Sequence, residues 1–246
     1  MRERERYVFD RVVRPTLPVN GLTDLFPVRR VYCVGRNYAS HAREMGGDPD
    51  REAPFFFSKP ADAILPRGGD MPYPASTHEL HHEVELVLAL GAGGANLGPE
   101  RCRGLIYGYA VGVDLTRRDL QRAAKADGRP WDMAKGFDRS APSSAVAPAV
   151  DVGHPRSGSI GLSVNDEVRQ AADLADLVWS PEETLSHLSG LVELAAGDLV
   201  FTGTPAGVGP LLPGDRYRAW IEGVGEVEGR VLPPSPPPEQ AAGSIG

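Results

Sequence analysis

Twenty-nine glycines and 23 prolines are spread through 246 residues, so a helix-disrupting residue falls about every fifth position. That density leaves little room for long helices and favours short strands joined by turns. It is too low for collagen and too dispersed for low-complexity sequence. Apolar residues make up 41% of the chain, enough for a sizeable core. No segment repeats at a period of 20–50 residues.

The strand pattern is legible in several places. Arg30–Gly35 (RVYCVG), Pro54–Lys59 (PFFFSK), Glu83–Leu90 (EVELVLAL) and Leu105–Val113 read as strands. Asn37 stands where it could cap a short helix running to Met45, stopped by Gly46-Gly47. Thr116–Asp127 has helical composition, broken by Gly128-Arg-Pro130, and residues 136–158 look irregular. Ile160–Val164 and Glu167–Gln170 flank Asn165-Asp166 as a hairpin. Glu182–Leu194 is expected to be helical, with Leu185, Leu188, Leu191 and Val192 on one face. Leu199–Thr202, Arg216–Ile221 and Gly225–Val231 complete the strands. Five prolines in residues 233–238 predict a disordered tail. The layout is α+β, mostly β: a short N-terminal segment over 1–29, one domain over 30–232, and the Pro-rich tail over 233–246.

The formal charge of −7 argues against nucleic acid or an anionic membrane as the main partner, because both call for a basic face. Two cysteines, Cys33 and Cys102, are too few for a disulfide scaffold and lack CxxC spacing. No signal peptide is visible, and no apolar run approaches the ~18 residues of a membrane span. A cytoplasmic setting is expected. Of the 26 cationic residues only three are lysines, Lys59, Lys125 and Lys135, which makes each worth inspecting.

Several residues could carry chemistry. Glu83 and Glu85 share one face of a strand, where two carboxylates repel unless solvated, protonated or bridged by a cation. Asp114 ends an apolar strand; it could be a third oxygen ligand or a helix cap. Three carboxylates suit hard Mg²⁺ or Mn²⁺ better than zinc. His41 and Glu44, three apart on a helix, could form an oriented base or an ordinary surface pair. Arg36 precedes that helix and could bind a carboxylate. Lys135 lies in Lys135-Gly-Phe-Asp138. Gly203-Thr-Pro-Ala-Gly-Val-Gly209 is a glycine-rich loop with no GK[ST] to make it a phosphate loop, though Thr204 could hold an anionic oxygen.

Six segments in order carry a resemblance: Val31–Met45 (VYCVGRNYASHAREM), Phe56–Pro60 (FFSKP), His81–Leu86 (HHEVEL), Gly108–Asp119 (GYAVGVDLTRRD), Trp131–Asp138 (WDMAKGFD) and Thr202–Gly209 (TGTPAGVG). Together they resemble the fumarylacetoacetate hydrolase family, nearest to its small acylpyruvate hydrolases of the bacterial fumarylpyruvate type. The resemblance implies a mixed β-roll, a homodimer and one Mg²⁺ or Mn²⁺ held by Glu83, Glu85 and Asp114. It assigns His41 and Glu44 to generating the attacking hydroxide, and Lys135 and Thr204 to the bound acid. It also implies a turn contact from Arg36 and a lid contact from Gln121. One departure is Val87, where the family often has Gly. The implied reaction is metal-dependent cleavage of a carbon–carbon bond in a small keto acid, fumarylpyruvate giving fumarate and pyruvate in gentisate-type catabolism. Oxaloacetate decarboxylation, dienedioate isomerisation or decarboxylation, and a non-catalytic keto-acid binder are the alternatives.

Overall fold

The computed structural model describes Val8, residues 13–39 and residues 53–234. The helix expected after Asn37, with His41 and Glu44, lies outside the described residues, as does most of the Pro-rich tail.

The fold is mostly β and its largest sheet is mixed. That sheet runs β4 (Phe55–Lys59), β3 (Arg30–Gly35), β15 (Asp198–Phe201), β8 (Val84–Leu90), β9 (Ile106–Val113), β11 (Ala141–Ser143), β5 (Ile64–Pro66), and β12 (Ala147–Pro148) also pairs with β9. β15 is parallel to β3 and antiparallel to β8. A second sheet runs β14 (Glu167–Asp173), β13 (Ser159–Val164), β17 (Arg216–Ile221), β18 (Gly225–Leu232), β6 (Met71–Pro72). A three-stranded ribbon, β10 (Thr116–Arg117), β7 (Leu80–His82), β16 (Gly209–Leu211), and a hairpin, β1 (Thr16–Pro18) with β2 (Leu25–Pro27), complete it.

All seven residues of β8 are buried, so both faces of the large sheet are covered. Side chains alternate across a strand. Leu86, Leu88 and Leu90 pack with Ile160, Leu162 and Ile221 of the second sheet. Val87 and Ala89 face the other way, toward Leu17, Phe26 and Val28. Residues 17–28 therefore complete the core rather than merely leading into it. Each such Leu, Ile, Val or Phe side chain contributes about 1.5–3 kcal/mol on full burial.

Most strand expectations agree within a residue or two, and the differences have physical reasons. The region 136–158 contains β11, β12 and a helix at Ala149–Val152, because distant strands β5 and β9 supply its pairing partners. Helix Pro181–Ser189 begins on a capping box, Ser180 with Glu183, and has Pro181 in its first turn. It stops at Gly190, well before Leu194, and Leu191 stays 70% exposed. The Asn165-Asp166 turn has positive φ at both residues, as a two-residue hairpin loop requires. No helix among the described residues is long and apolar enough to cross a membrane.

Candidate active site

The sheets bring Glu83, Glu85 and Asp114 together. Glu83 lies between β7 and β8, Glu85 is the second residue of β8, and Asp114 follows β9. The Asp114 amide donates to the Glu83 carbonyl at 2.8 Å, which pins the two strand ends side by side. One carboxylate oxygen from each residue falls within 4.8 Å of the others, and all three residues are buried.

Among the described residues, three cations answer this charge. Lys135, in helix Asp132–Lys135, donates through Nζ to Glu83 Oε2 at 2.9 Å and Asp114 Oδ2 at 2.6 Å. Lys59, last residue of β4, places Nζ 2.8 Å from Asp114 Oδ1 and also donates to the carbonyls of Leu115 and Lys135. Its ammonium thus fastens the lysine helix to the aspartate. Arg118 pairs with Glu83 Oε1 and donates to Gln121 Oε1. Burial first, then Asp114 and Glu83, hold the Glu85 carboxyl well above the usual range, against the opposing pull of Lys135 and the Gly203 N–H. For Lys135, burial disfavours the charge, but Asp114 and Glu83 outweigh it and raise its pKa.

This donor set fits a hard divalent cation. It consists of carboxylate oxygens alone, which suits Mg²⁺ or Mn²⁺. Asp114 Oδ1, beside Lys59, is fully buried yet receives no directed hydrogen bond. A cation between the carboxylates would also relieve the crowding that raises Glu85.

The group lies at the floor of a cavity of about 430 Å³. Arg36, Glu83, Glu85, Gln121, Lys135 and Thr204 line it, and Asp114 lies beneath, against Lys135. Among the described residues, five cationic side chains line the cavity against three carboxylates, although the whole chain is net negative. Phe55, Phe57 and Trp131 form its apolar wall, with Phe55 and Trp131 meeting edge to face at 5.4 Å. Gly35 lets the Phe55 ring cross the end of β3, because a Cβ there would stand 1.9 Å from the ring. Arg36 follows in the left-handed region at φ 61°. Such strain persists only where the surroundings enforce it.

Thr204 is held from behind. Gln170 of β14 donates to Thr204 Oγ1 at 2.8 Å and to the Pro205 carbonyl at 2.9 Å. Its Oε1 accepts from the Val84 amide and from His82 Nδ1, which fixes the proton of His82 on Nδ1. With Oγ1 already accepting, the Thr204 hydroxyl keeps its own hydrogen to donate. Gly203, at φ 97°, sends its N–H to Glu85 Oε2 at 2.6 Å. A Cβ at Gly203 would meet the Asn37 side chain at 2.8 Å. Asn37 bonds across to Trp179 and Thr202, tying this loop to the end of β3.

Every expected site residue within the described part of the chain is therefore gathered here; His41 and Glu44 lie outside it. Sequence reasoning missed Lys59, Arg118 and Gln170. The scarcity of lysine was a signal for Lys59, and Arg118 stands inside GYAVGVDLTRRD. Gln170 gave none.

The fold and site define a known class. Residues 30–232 match the family model for the fumarylacetoacetate (FAA) hydrolase C-terminal domain, and the chain belongs to that family. The crystal structure of fumarylpyruvate hydrolase from Pseudomonas aeruginosa, in complex with Mn²⁺ and pyruvate, superposes with a TM-score of 0.91. It shares 50% identity, covering 93% of this chain and all of that one. A fumarylpyruvate hydrolase from a Ralstonia species is 38% identical over 76% of this chain and 96% of its own. An oxaloacetate tautomerase of Escherichia coli is 41% identical over 80% of this chain and 90% of its own.

Proposed function

We propose that the protein is a metal-dependent carbon–carbon bond hydrolase acting on fumarylpyruvate, releasing fumarate and pyruvate in aromatic catabolism. The observation that carries the reading is the buried Glu83–Glu85–Asp114 group beneath a predominantly cationic cavity. The similarity to a hydrolase crystallised with Mn²⁺ and pyruvate supports it. Glu83, Glu85 and Asp114 hold the divalent ion, which when bound supplies Lewis-acid polarisation of a 2-keto acid.

The remaining steps belong to the chain's own groups. His41, backed by Glu44, takes a proton from water. The water oxygen bonds to the C4 carbonyl carbon, and the C3–C4 bond breaks. Its electron pair leaves with the pyruvate fragment as the enolate, which takes up a proton, and the acyl fragment departs as the acid. Lys135 offsets the charge that develops on the enolate. Thr204 donates its hydroxyl to the bound acid, with Arg36 and Gln121 as further contacts. In this reading the catalytic unit spans residues 30–232, assembles as a homodimer and works in the cytoplasm.

The test follows pyruvate release from fumarylpyruvate, acetylpyruvate and oxaloacetate by metal-stripped protein, with and without Mg²⁺ or Mn²⁺. Fast metal-dependent cleavage of fumarylpyruvate is the expected result, abolished in His41→Ala. An active His41→Ala enzyme removes the assigned base. The 41% identity to an oxaloacetate tautomerase favours a second reading, proton transfer between the enol and keto forms of oxaloacetate. Loss of enol absorbance without pyruvate release would select that reading, and pyruvate release from oxaloacetate alone would select decarboxylation.

A further inference from the structure

Helix Arg118–Ala126 presents residues 118, 121, 122 and 125 on one face, and all four line the cavity. The face changes character along its length. Arg118 and Gln121 are buried and committed to the floor. Arg122 is exposed and lends one nitrogen to Glu79 Oε2 at 2.6 Å. A guanidinium has five N–H donors, so among the described residues the rest of the fork stays open. Lys125 is exposed and makes no hydrogen bond or ion pair among the described residues. Lys125 is one of the chain's three lysines, and the other two are fastened to Asp114 at the floor.

From Arg118 to Lys125 the helix climbs about 10 Å, at 1.5 Å per residue. A keto acid anchored at the carboxylate floor and running along this helix would pass the aromatic wall of Phe55, Phe57 and Trp131 and end beside two cations that, among the described residues, lack a counter-charge of equal size. Glu79 offers one negative charge there against Arg122 and Lys125. A flat acyl chain suits the aromatic side, and an anionic end suits the helix side.

We infer that Arg122 and Lys125 bind the far carboxylate of the substrate, so that the site selects acylpyruvates charged at both ends over those with a neutral acyl end. Glu79 orients Arg122 for this contact. The inference rests on the proposed acylpyruvate reading and deepens it by assigning the residues that choose the acyl group.

The experiment uses the full-length metal-loaded enzyme with Lys125→Met and Arg122→Met made separately, and Lys125→Arg as the conservative variant. The ratio of kcat/KM for fumarylpyruvate over acetylpyruvate should fall about tenfold or more in each Met variant, chiefly through KM for fumarylpyruvate. Lys125→Arg should recover most of it. A ratio unchanged by both substitutions overturns the inference. A binding arm separates this inference from the reaction itself. Calorimetry on Mn²⁺-loaded protein compares 2-oxoadipate with 2-oxohexanoate, which differ only in the terminal carboxylate. The wild type should prefer 2-oxoadipate, and the Met variants should lose that preference. Equal affinities in the wild type overturn the inference. If the wild type cleaves no acylpyruvate, the proposed function falls, and the calorimetric preference alone decides the role of the two cations.

Discussion

The floor and the mouth of the cavity carry the same kinds of charge and use them differently. At the floor, Lys59, Lys135 and Arg118 are buried and each is matched to a carboxylate at contact distance. At the mouth, Arg122 and Lys125 are exposed, and among the described residues only Arg122 has an anionic partner. Buried charges tolerate no missing partner, so the floor is a fixed piece of architecture. Exposed cations sacrifice little stability when left unmatched, so the mouth is free to be tuned to a ligand. Chemistry can thus stay constant below while selection changes above.

Substitutions should separate the two regions sharply. The largest effect belongs to the metal ligands: Asp114→Asn should remove several kcal/mol of transition-state stabilisation, about a thousandfold in turnover, with a matching loss in a Mn²⁺ titration. Turnover near wild type would place the metal elsewhere. Next is Lys59→Met, which leaves Asp114 short of a buried counter-charge. Denaturant unfolding should show a loss of about 3–5 kcal/mol. A smaller effect comes with pH. Burial pushes His82 down to about 4, against the hydrogen bond with Gln170. The unfolded chain therefore takes up this proton first. The stability it contributes is fully present above pH 6.5 and is lost as pH falls toward 4, up to about 3 kcal/mol. A His82→Asn variant should flatten that part of the pH–stability curve, and an unchanged slope would show that His82 takes up its proton equally in both states. Gln170→Leu should lose about 1–3 kcal/mol by stranding buried partners, and should weaken binding of 2-keto acids because Thr204 is no longer held. At the mouth, Lys125→Met should alter unfolding free energy by no more than about 0.5 kcal/mol. A larger change there would mean that the mouth is structural as well.

Legibility in the sequence follows the same division. The carboxylates could be read because Glu83 and Glu85 interrupt an otherwise apolar strand and Asp114 ends another, and a charge in such a place needs a reason. Lys59 and Arg118 could not be assigned to them, since their partners lie 55 and 35 residues away along the chain and only the sheet order unites them. Gln170 belongs to the other sheet altogether, and a single glutamine at the end of a predicted hairpin strand carries no mark of its bond to Thr204. The strands β11 and β12 were hidden for a related reason: their sequences are rich in Pro, Ser and Ala, and pairing with β5 and β9 rather than propensity makes them strands. Leu191 shows the reverse error, a residue with the right spacing for a helix face placed beyond the Gly190 stop.

The order of strands in the large sheet has a bearing on how the protein is made. β15, synthesised among the last, lies between β3 and β8, and the loop after it delivers the Gly203 N–H to Glu85. On the ribosome, the first half of the chain therefore emerges with the edges of β3 and β8 both open. The acidic floor cannot close until Gly203 has left the exit tunnel. Folding of the site is thus a late event that follows translation of nearly the whole domain, and a chain released before Phe201 carries two sticky edges where the finished protein has a fully buried strand.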